Sequence, residues 1–97
     1  MKWSKPYQIL ISATVNEAVA KDIEMAKAVE QALLKFHRFD YGLIPAEDAA
    51  ANNRDLEERA GHVLGRYPSP NGDIYINLLF DDPDIGDYAY IMYTWEY

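Results

Sequence analysis

Cysteine is missing from this sequence of 97 residues, which excludes disulfide bonds, thiol catalysis and cysteine-ligated metal sites. Long hydrophobic runs are missing too. The aliphatic stretches are as short as Ile9 to Ile11, whereas a membrane-spanning helix needs roughly 20 apolar residues. The first residues, Met1 to Pro6, show no apolar segment followed by a small-residue cleavage site. We therefore expect a cytoplasmic protein that has no contact with a membrane.

Basic side chains are missing from the C-terminal third of the chain. No lysine or arginine follows Arg66, while six carboxylates do: Asp73, Asp81, Asp82, Asp84, Asp87 and Glu96. Residues 1–39 carry a net charge of +2 (six basic, four acidic) and residues 40–97 carry −9 (three basic, twelve acidic), which sum to −7. Such a field repels phosphate backbones, so we expect no direct binding of nucleic acid. It attracts a basic protein surface, although acidity can also serve solubility alone.

Enzyme signatures are missing as well. His37 and His62 are the only histidines, and they do not have the spacing of a zinc site. No serine lies in a Gly-x-Ser-x-Gly motif, and no glycine-rich phosphate loop is present. The acidic segment 82–87 departs from a calcium-binding EF-hand loop, because its glycine stands at the fifth position and its twelfth position is Tyr93. We expect no enzymatic activity, no metal and no cofactor.

The composition that is present, 49% hydrophobic and 26% charged, is typical of one globular domain spanning residues 1–97. Periodicity and turn residues predict strands at 7–13, 62–67, 73–80 and 88–95, helices at 16–38 and 45–60, and a loop at 81–87. The order β-α-α-β-β-β predicts an α+β fold: a mainly antiparallel sheet of three or four strands with two helices packed on one face.

Local signals refine these elements. Thr14 and Glu17 have the spacing of a capping box at the start of the first helix. Gly42, after that helix, is expected to have a positive φ, and Gly61 to end the second helix. The predicted buried face of the first helix consists of Val19, Ile23, Ala26, Val29, Leu33 and Phe36. Alternation along the third strand places Ile74, Ile76, Leu78 and Phe80 on one face and Tyr75, Asn77 and Leu79 on the other.

Aromatic residues are concentrated in the acidic region. Six of the eight tyrosines lie between Tyr67 and Tyr97, together with Phe80 and Trp95. Both faces of the strand at 88–95 carry large side chains, and helices on one side of a sheet cover only one face, so we expect the other face to stay partly exposed. Tyrosine and tryptophan are favoured at interfaces. The alternative is that the outward tyrosines form ordinary cross-strand pairs.

A set of short motifs points to a family. They are Val19-Ala20, Asp40-Tyr41-Gly42, Glu47-Asp48, Asn52, Gly61 or Gly65, Tyr67 and Glu96-Tyr97. In this set, which spans roughly residues 14–97, the chain resembles a family of small, uncharacterised proteins carried on bacterial plasmids, integrative elements and prophages, although that family has tryptophan where Tyr41 stands. Some proteins of this size and setting resemble anti-CRISPR proteins, which bind and block a CRISPR effector.

Charge, aromatics and resemblance together lead us to expect a mobile-element inhibitor that binds a host nucleic-acid-dependent defence complex. Its partner would be a protein with a basic nucleic-acid-binding surface, such as a CRISPR effector. Carboxylates would stand in for phosphates and rings would serve as packed anchors. The expected contact residues are Asp81, Asp82, Asp84, Asp87, Tyr88 and Tyr90. The alternative is a small homodimeric structural or regulatory protein, in which the exposed face of 88–95 pairs with a second copy.

Overall fold

The computed structural model describes residue 3 and residues 5–97. Within these residues the chain forms three α-helices, four strands and a terminal 3-10 helix. The elements are β1 (Gln8–Ile11), α1 (Ala13–Lys21), α2 (Ile23–His37), α3 (Ala46–Glu58), β2 (His62–Tyr67), β3 (Ile74–Asp82), β4 (Gly86–Tyr93) and the 3-10 helix (Thr94–Glu96). In the described part of the chain, no helix combines the length and the apolar character needed to cross a membrane.

The four strands form one mixed sheet in the order β1-β4-β3-β2. The pairs β2–β3 and β3–β4 are antiparallel, and β1 lies parallel to β4 at the edge. The predicted α+β class is confirmed. The predicted count of two helices is wrong, because the first predicted helix is divided in two.

The division falls at Asp22. Its backbone is extended (φ −134°, ψ 114°), so it ends α1, and its carboxylate then accepts a hydrogen bond from the Glu24 N–H to cap α2. The break shifts the phase of the apolar face, so Ile23, which was predicted to be buried, is 71% exposed. Met25 and Ala32 take its place in the core. The other buried residues of α2 are Val29 and Phe36, as the periodicity predicts.

The start of α1 also differs from the prediction. β1 ends at Ile11, earlier than predicted, and the side chain of the next residue, Ser12, caps α1 by accepting a hydrogen bond from the Val15 N–H at 3.3 Å. The predicted cap, Thr14, instead donates to Glu96 Oε2 at 2.7 Å. Glu96 Oε1 accepts from Ser12 Oγ at 3.0 Å and from the Tyr93 N–H at 2.8 Å. Burial acts to raise the pKa of Glu96, but these three hydrogen bonds hold it below its ordinary value.

The core lies on one face of the sheet, under α1 and α2. Its strand residues alternate as predicted for β3, with Ile74, Ile76 and Leu78 each at most 1% exposed. The remaining buried apolar residues of the strands are Val63, Tyr67, Ala89, Ile91 and Tyr93. α1 and α2 therefore cover this face, and the strand residues between these positions point to the opposite side.

The outer edge of β2 is covered by the rest of the chain. Asn52 of α3 pairs with the Leu64 backbone through two hydrogen bonds, Nδ2 to the carbonyl oxygen at 2.8 Å and the N–H to Oδ1 at 3.1 Å. The Arg66 N–H donates to the Tyr41 carbonyl oxygen at 3.0 Å, and the Leu43 N–H donates to the Arg66 carbonyl oxygen at 2.8 Å. A covered edge cannot accept a foreign strand. α3 has close to its predicted bounds of 45–60, but Arg59, in the left-handed region, ends it before Gly61.

Candidate functional site

The side of the sheet that faces away from α1 and α2 is covered by neither of these two helices. We call this surface the open face and define it by the side chains of Leu10, Asn77, Leu79, Tyr88, Tyr90 and Met92, which β1, β3 and β4 place there by strand alternation and register. All of them except the buried Asn77 are partly exposed. Large apolar and aromatic side chains on an uncovered sheet are typical of a protein-binding surface.

A shallow pocket of about 300 Å³ lies on the open face, and Asn77 lines it together with Leu79, Tyr88, Tyr90 and Met92. Asn77 is only 8% exposed, and its Oδ1 has no hydrogen-bond partner among the described residues. An unpartnered buried acceptor costs about 1–3 kcal/mol. Asn77 therefore adds a polar group to the lining of this pocket, and a donor that enters the pocket, either water or a group of a partner, can pair with it.

The hairpin between β3 and β4 carries the acidic residues at the end of the sheet. It is tighter than the predicted loop at 81–87, because β3 continues to Asp82 and β4 begins at Gly86. Asp82 Oδ1 accepts hydrogen bonds from the Asp84 N–H at 2.9 Å and the Ile85 N–H at 3.2 Å, which fixes the turn. The Asp84 carboxylate is exposed and has no partner among the described residues. Asp84 is therefore the acidic side chain of the turn that a partner can reach most directly.

Asp81 and Asp87 both pair with basic side chains of the same chain, although only Asp87 is buried and the Asp81 side chain is 62% exposed. Arg59, just after α3, contacts both oxygens of Asp87 at 2.7 and 2.8 Å and Asp81 Oδ1 at 2.8 Å. Its guanidinium carbon lies 5.1 Å from the ring centroid of Phe80. Lys5 adds a longer contact of 3.8 Å to Asp81. This cluster ties the end of α3 to the hairpin.

The electrostatics of the cluster follow from these contacts. Asp87 is 7% exposed, and burial on its own would raise the pKa of its carboxyl group. The hydrogen bonds from Arg59 outweigh burial and hold the pKa of Asp87 below its ordinary value. The same bonds raise the pKa of Arg59. Asp87 is thus an ionised, internally neutralised group at neutral pH.

The structure brings only part of the predicted contact set together. Tyr88 and Tyr90 lie side by side on the open face, and Asp82 and Asp84 lie in the turn. Asp87 lies on the opposite side of β4, among the buried residues, and is engaged by Arg59. The expectation that the whole segment 81–87 is a water-exposed acidic loop is therefore corrected for Asp87, because a buried carboxylate paired with arginine does not face a partner.

The other aromatic residues of the region differ in burial: Tyr67 and Tyr93 are buried, whereas Trp95 and Tyr97 are 66% and 63% exposed. Tyr67 is buried and donates to the Asp40 carbonyl oxygen at 2.7 Å, and burial raises its pKa. Tyr93 is buried and stacks on Trp95 with ring centroids 4.4 Å apart. Trp95 lies in the 3-10 helix, outside the strand predicted at 88–95. Sequence reasoning did not single out Asn77 and Met92 as contact residues, although alternation had placed Asn77 on the correct face.

The side chains of the open face are those of a binding surface. In residue 3 and residues 5–97, no three His, Asp or Glu side chains come together in a way that could hold a metal ion. The open face offers aromatic and apolar area, one unpartnered acceptor and carboxylates at its end. A scan against protein-family models and searches of curated proteins and of solved structures find no match to this chain.

Proposed function

We propose that this chain is a non-catalytic inhibitor, of the anti-CRISPR kind, that binds a host nucleic-acid-dependent defence complex through the open face of its sheet. The observation that supports this proposal is the Asn77 Oδ1 atom, which has no hydrogen-bond partner among the described residues and lies in a pocket lined by Tyr88, Tyr90 and Met92. Such a centre has the apolar area and the single polar group that protein interfaces use for affinity and register.

Charge selects the class of partner. The chain has a net charge of −7, and no lysine or arginine follows Arg66 in the segment that forms β3, β4 and their hairpin. The internal pairing of Asp81 and Asp87 with Arg59 leaves Asp82 and Asp84 at the end of the open face, and Glu96 at the rim of its pocket. A surface with these charges is complementary to a basic groove that holds guide or target nucleic acid. In this proposal, the open face supplies affinity and the rim carboxylates supply steering and orientation.

The proposal predicts a specific pattern in a nuclease cleavage assay with purified CRISPR and restriction effectors. The protein should inhibit cleavage by one effector, and Tyr90→Ala should weaken inhibition at least about tenfold, because central aromatic contacts contribute about 2 kcal/mol or more. Asp84→Asn should weaken it by a smaller factor, about two- to fivefold, and added salt should weaken wild-type binding.

Two variants serve as matched controls. Glu57→Gln removes an exposed carboxylate of α3, and Leu43→Ala removes an exposed apolar side chain, both away from the open face. Both should inhibit like the wild type, and circular dichroism should show that every variant is folded. Absence of inhibition across the effectors, or equal inhibition by Tyr90→Ala, would contradict the proposal. Binding that does not respond to salt would contradict the phosphate-mimic part alone.

The second candidate is a homodimer formed through the same open face, with a structural or regulatory role. The same exposed tyrosines favour it. It differs in one observable property, since Tyr90→Ala would dissociate a dimer of this kind, whereas it would leave the oligomeric state of the inhibitor unchanged. Because two open faces would bring the acidic rims of two copies together, the charge on residues 40–97 favours the basic partner over a second copy at this surface.

A further inference from the structure

One edge of the sheet is covered by other parts of the chain and the other edge is not. The outer edge of β2 is covered by Asn52 and by residues 41–43, whereas in the described part of the chain nothing pairs with the outer edge of β1. Among the usual protections of an exposed edge, β1 has only its short length, because its four residues, Gln-Ile-Leu-Ile, include no charge, no proline and no bulge. This edge is therefore a template for an additional strand.

The free hydrogen-bonding groups of β1 can be assigned. The Ser12 N–H donates to the Ile91 carbonyl oxygen of β4 at 2.9 Å. In a parallel ladder alternate residues bond to the neighbouring strand, so Gln8 and Leu10 also bond to β4. The backbone N–H and C=O groups of Ile9 and Ile11 then point away from the sheet. Two residues spaced in this way offer four hydrogen-bonding groups to a strand laid alongside.

Exposed apolar side chains are concentrated at the same edge. Of the seven large hydrophobic residues that are exposed in the described chain, four belong to β1 and α2: Ile9, Ile11, Ile23 and Leu34. A groove of about 400 Å³ runs between β1 and α2, with Ile9 and Leu34 on its walls and a lining that is almost entirely apolar. Ile9 is 47% exposed and Leu34 is 44% exposed. An added strand would cover both.

We propose that a second copy of this chain occupies this edge, so that β1 pairs with β1 of the partner copy in an antiparallel ladder centred on Leu10. In that register Ile9 lies opposite Ile11 of the second copy, and each such pair exchanges two N–H···O bonds, which gives four bonds across the two-fold axis. The isoleucines pack on the helix side, where the two grooves face each other. The result is one continuous eight-stranded sheet, from two sheets of four strands.

The absence of charged side chains on β1 allows a second copy at this edge, and the acidic rims oppose one at the open face. β1, α1 and α2 belong to residues 1–39, which carry +2, whereas residues 40–97 carry −9. β1 itself carries no charge, so two copies that meet through it place no like charges directly opposite each other in the ladder, whereas two copies that meet through the open face bring their acidic rims together. An antiparallel pair of edge strands leaves both open faces on the same side of the joined sheet, so the dimer would present a surface twice as wide. This inference does not depend on the proposed function.

The absence of cysteine makes a direct test of the register possible, because a single introduced thiol is the only one in the chain. Residue 10 lies on the two-fold axis, opposite its own copy, at a separation of about 4.5 Å between Cα atoms, which a disulfide can bridge. Leu10→Cys should therefore be converted by mild oxidation to a covalent dimer. Met92→Cys, on the open face, should stay monomeric under the same treatment. Sedimentation equilibrium of the wild type should give about twice the 11.1 kDa chain mass.

A charge-pair experiment tests the same ladder without relying on disulfide formation. The variant Ile9→Lys/Ile11→Lys and the variant Ile9→Glu/Ile11→Glu each place like charges opposite each other, so each alone should be monomeric. Mixed in equal amounts they should form a heterodimer, because lysine then lies opposite glutamate at every pair. A wild type that stays at 11.1 kDa at about 100 µM, where even a weak specific dimer assembles, would overturn the proposal. So would crosslinking through position 92 instead of position 10.

Discussion

Replacing Gly42 with alanine should destabilise the protein by about 3–5 kcal/mol, enough to unfold much of a small domain. Gly42 has φ +70°, and a Cβ atom there would lie 2.1 Å from the Arg66 carbonyl oxygen and 2.8 Å from the Tyr67 ring. Left-handed backbone costs a residue with a side chain about 1–2 kcal/mol, and the collision adds more because backbone cannot move aside cheaply. The contact that would be lost is the one that covers the edge of β2.

Gly86 provides the matched control. Its φ is +76°, close to that of Gly42, but a Cβ atom there would meet nothing within 4 Å. Gly86→Ala should lower the free energy of unfolding by about 1 kcal/mol, because only the left-handed backbone becomes unfavourable. This corresponds to a decrease of roughly 4–8 °C in melting temperature. Thermal or urea unfolding of the two variants measures the difference. Equal losses at the two positions would show that the segment 41–43 does not lie against β2 as described.

Replacing Arg59 with alanine should cost about 2–4 kcal/mol, because it leaves Asp87 buried without its cation. The value lies below that of a fully buried pair, since the Arg59 side chain is 22% exposed and water can enter. Arg54→Ala, which removes an exposed arginine of α3, should change stability by less than about 0.5 kcal/mol. Urea unfolding monitored by circular dichroism compares the three proteins. A small effect of Arg59→Ala would mean that the hairpin does not need this anchor.

The same cluster sets a pH dependence of stability. The pKa of Asp87 is lowered in the folded state, so its ionised form stabilises the fold above its unfolded pKa of about 4. This stabilisation should be lost progressively as the pH falls from about 5 through the folded-state pKa. Asp87→Asn should be less stable than the wild type at pH 7 and should lose less stability on acidification. Some acid dependence should remain, because the pKa of Glu96 is lowered as well.

Patterns that depend on near neighbours were readable from the sequence. Strand alternation correctly placed Ile74, Ile76 and Leu78 in the core and Asn77 on the other face. The positive φ of Gly42 followed from its place after a helix. The break at Asp22 could not be predicted, because the local sequence is consistent both with one uninterrupted helix and with an aspartate that caps a second helix. Only the packing of α1 and α2 on the sheet decides between one helix and two.

The candidate site shows the same division. Tyr88 and Tyr90 could be assigned to one strand face from alternation alone. The burial of Asp87 and its ion pair could not be predicted, because its partner Arg59 is 28 residues away along the chain. A charge count does not reveal ion pairing. The acidic excess of the C-terminal half is therefore partly used to hold α3 against the hairpin, and the Asp84 carboxylate is left exposed.

The central claim, that the open face is where this protein meets another macromolecule, is tested most directly by affinity capture with paired baits. The wild type, Tyr90→Ala and Glu57→Gln would each be used as bait in lysate of the natural host, with bound proteins quantified by mass spectrometry. The claim predicts a protein with a basic nucleic-acid-binding surface that the wild type and Glu57→Gln retain equally and that folded Tyr90→Ala loses at least about tenfold. The same proteins retained in equal amounts by all three baits would contradict it.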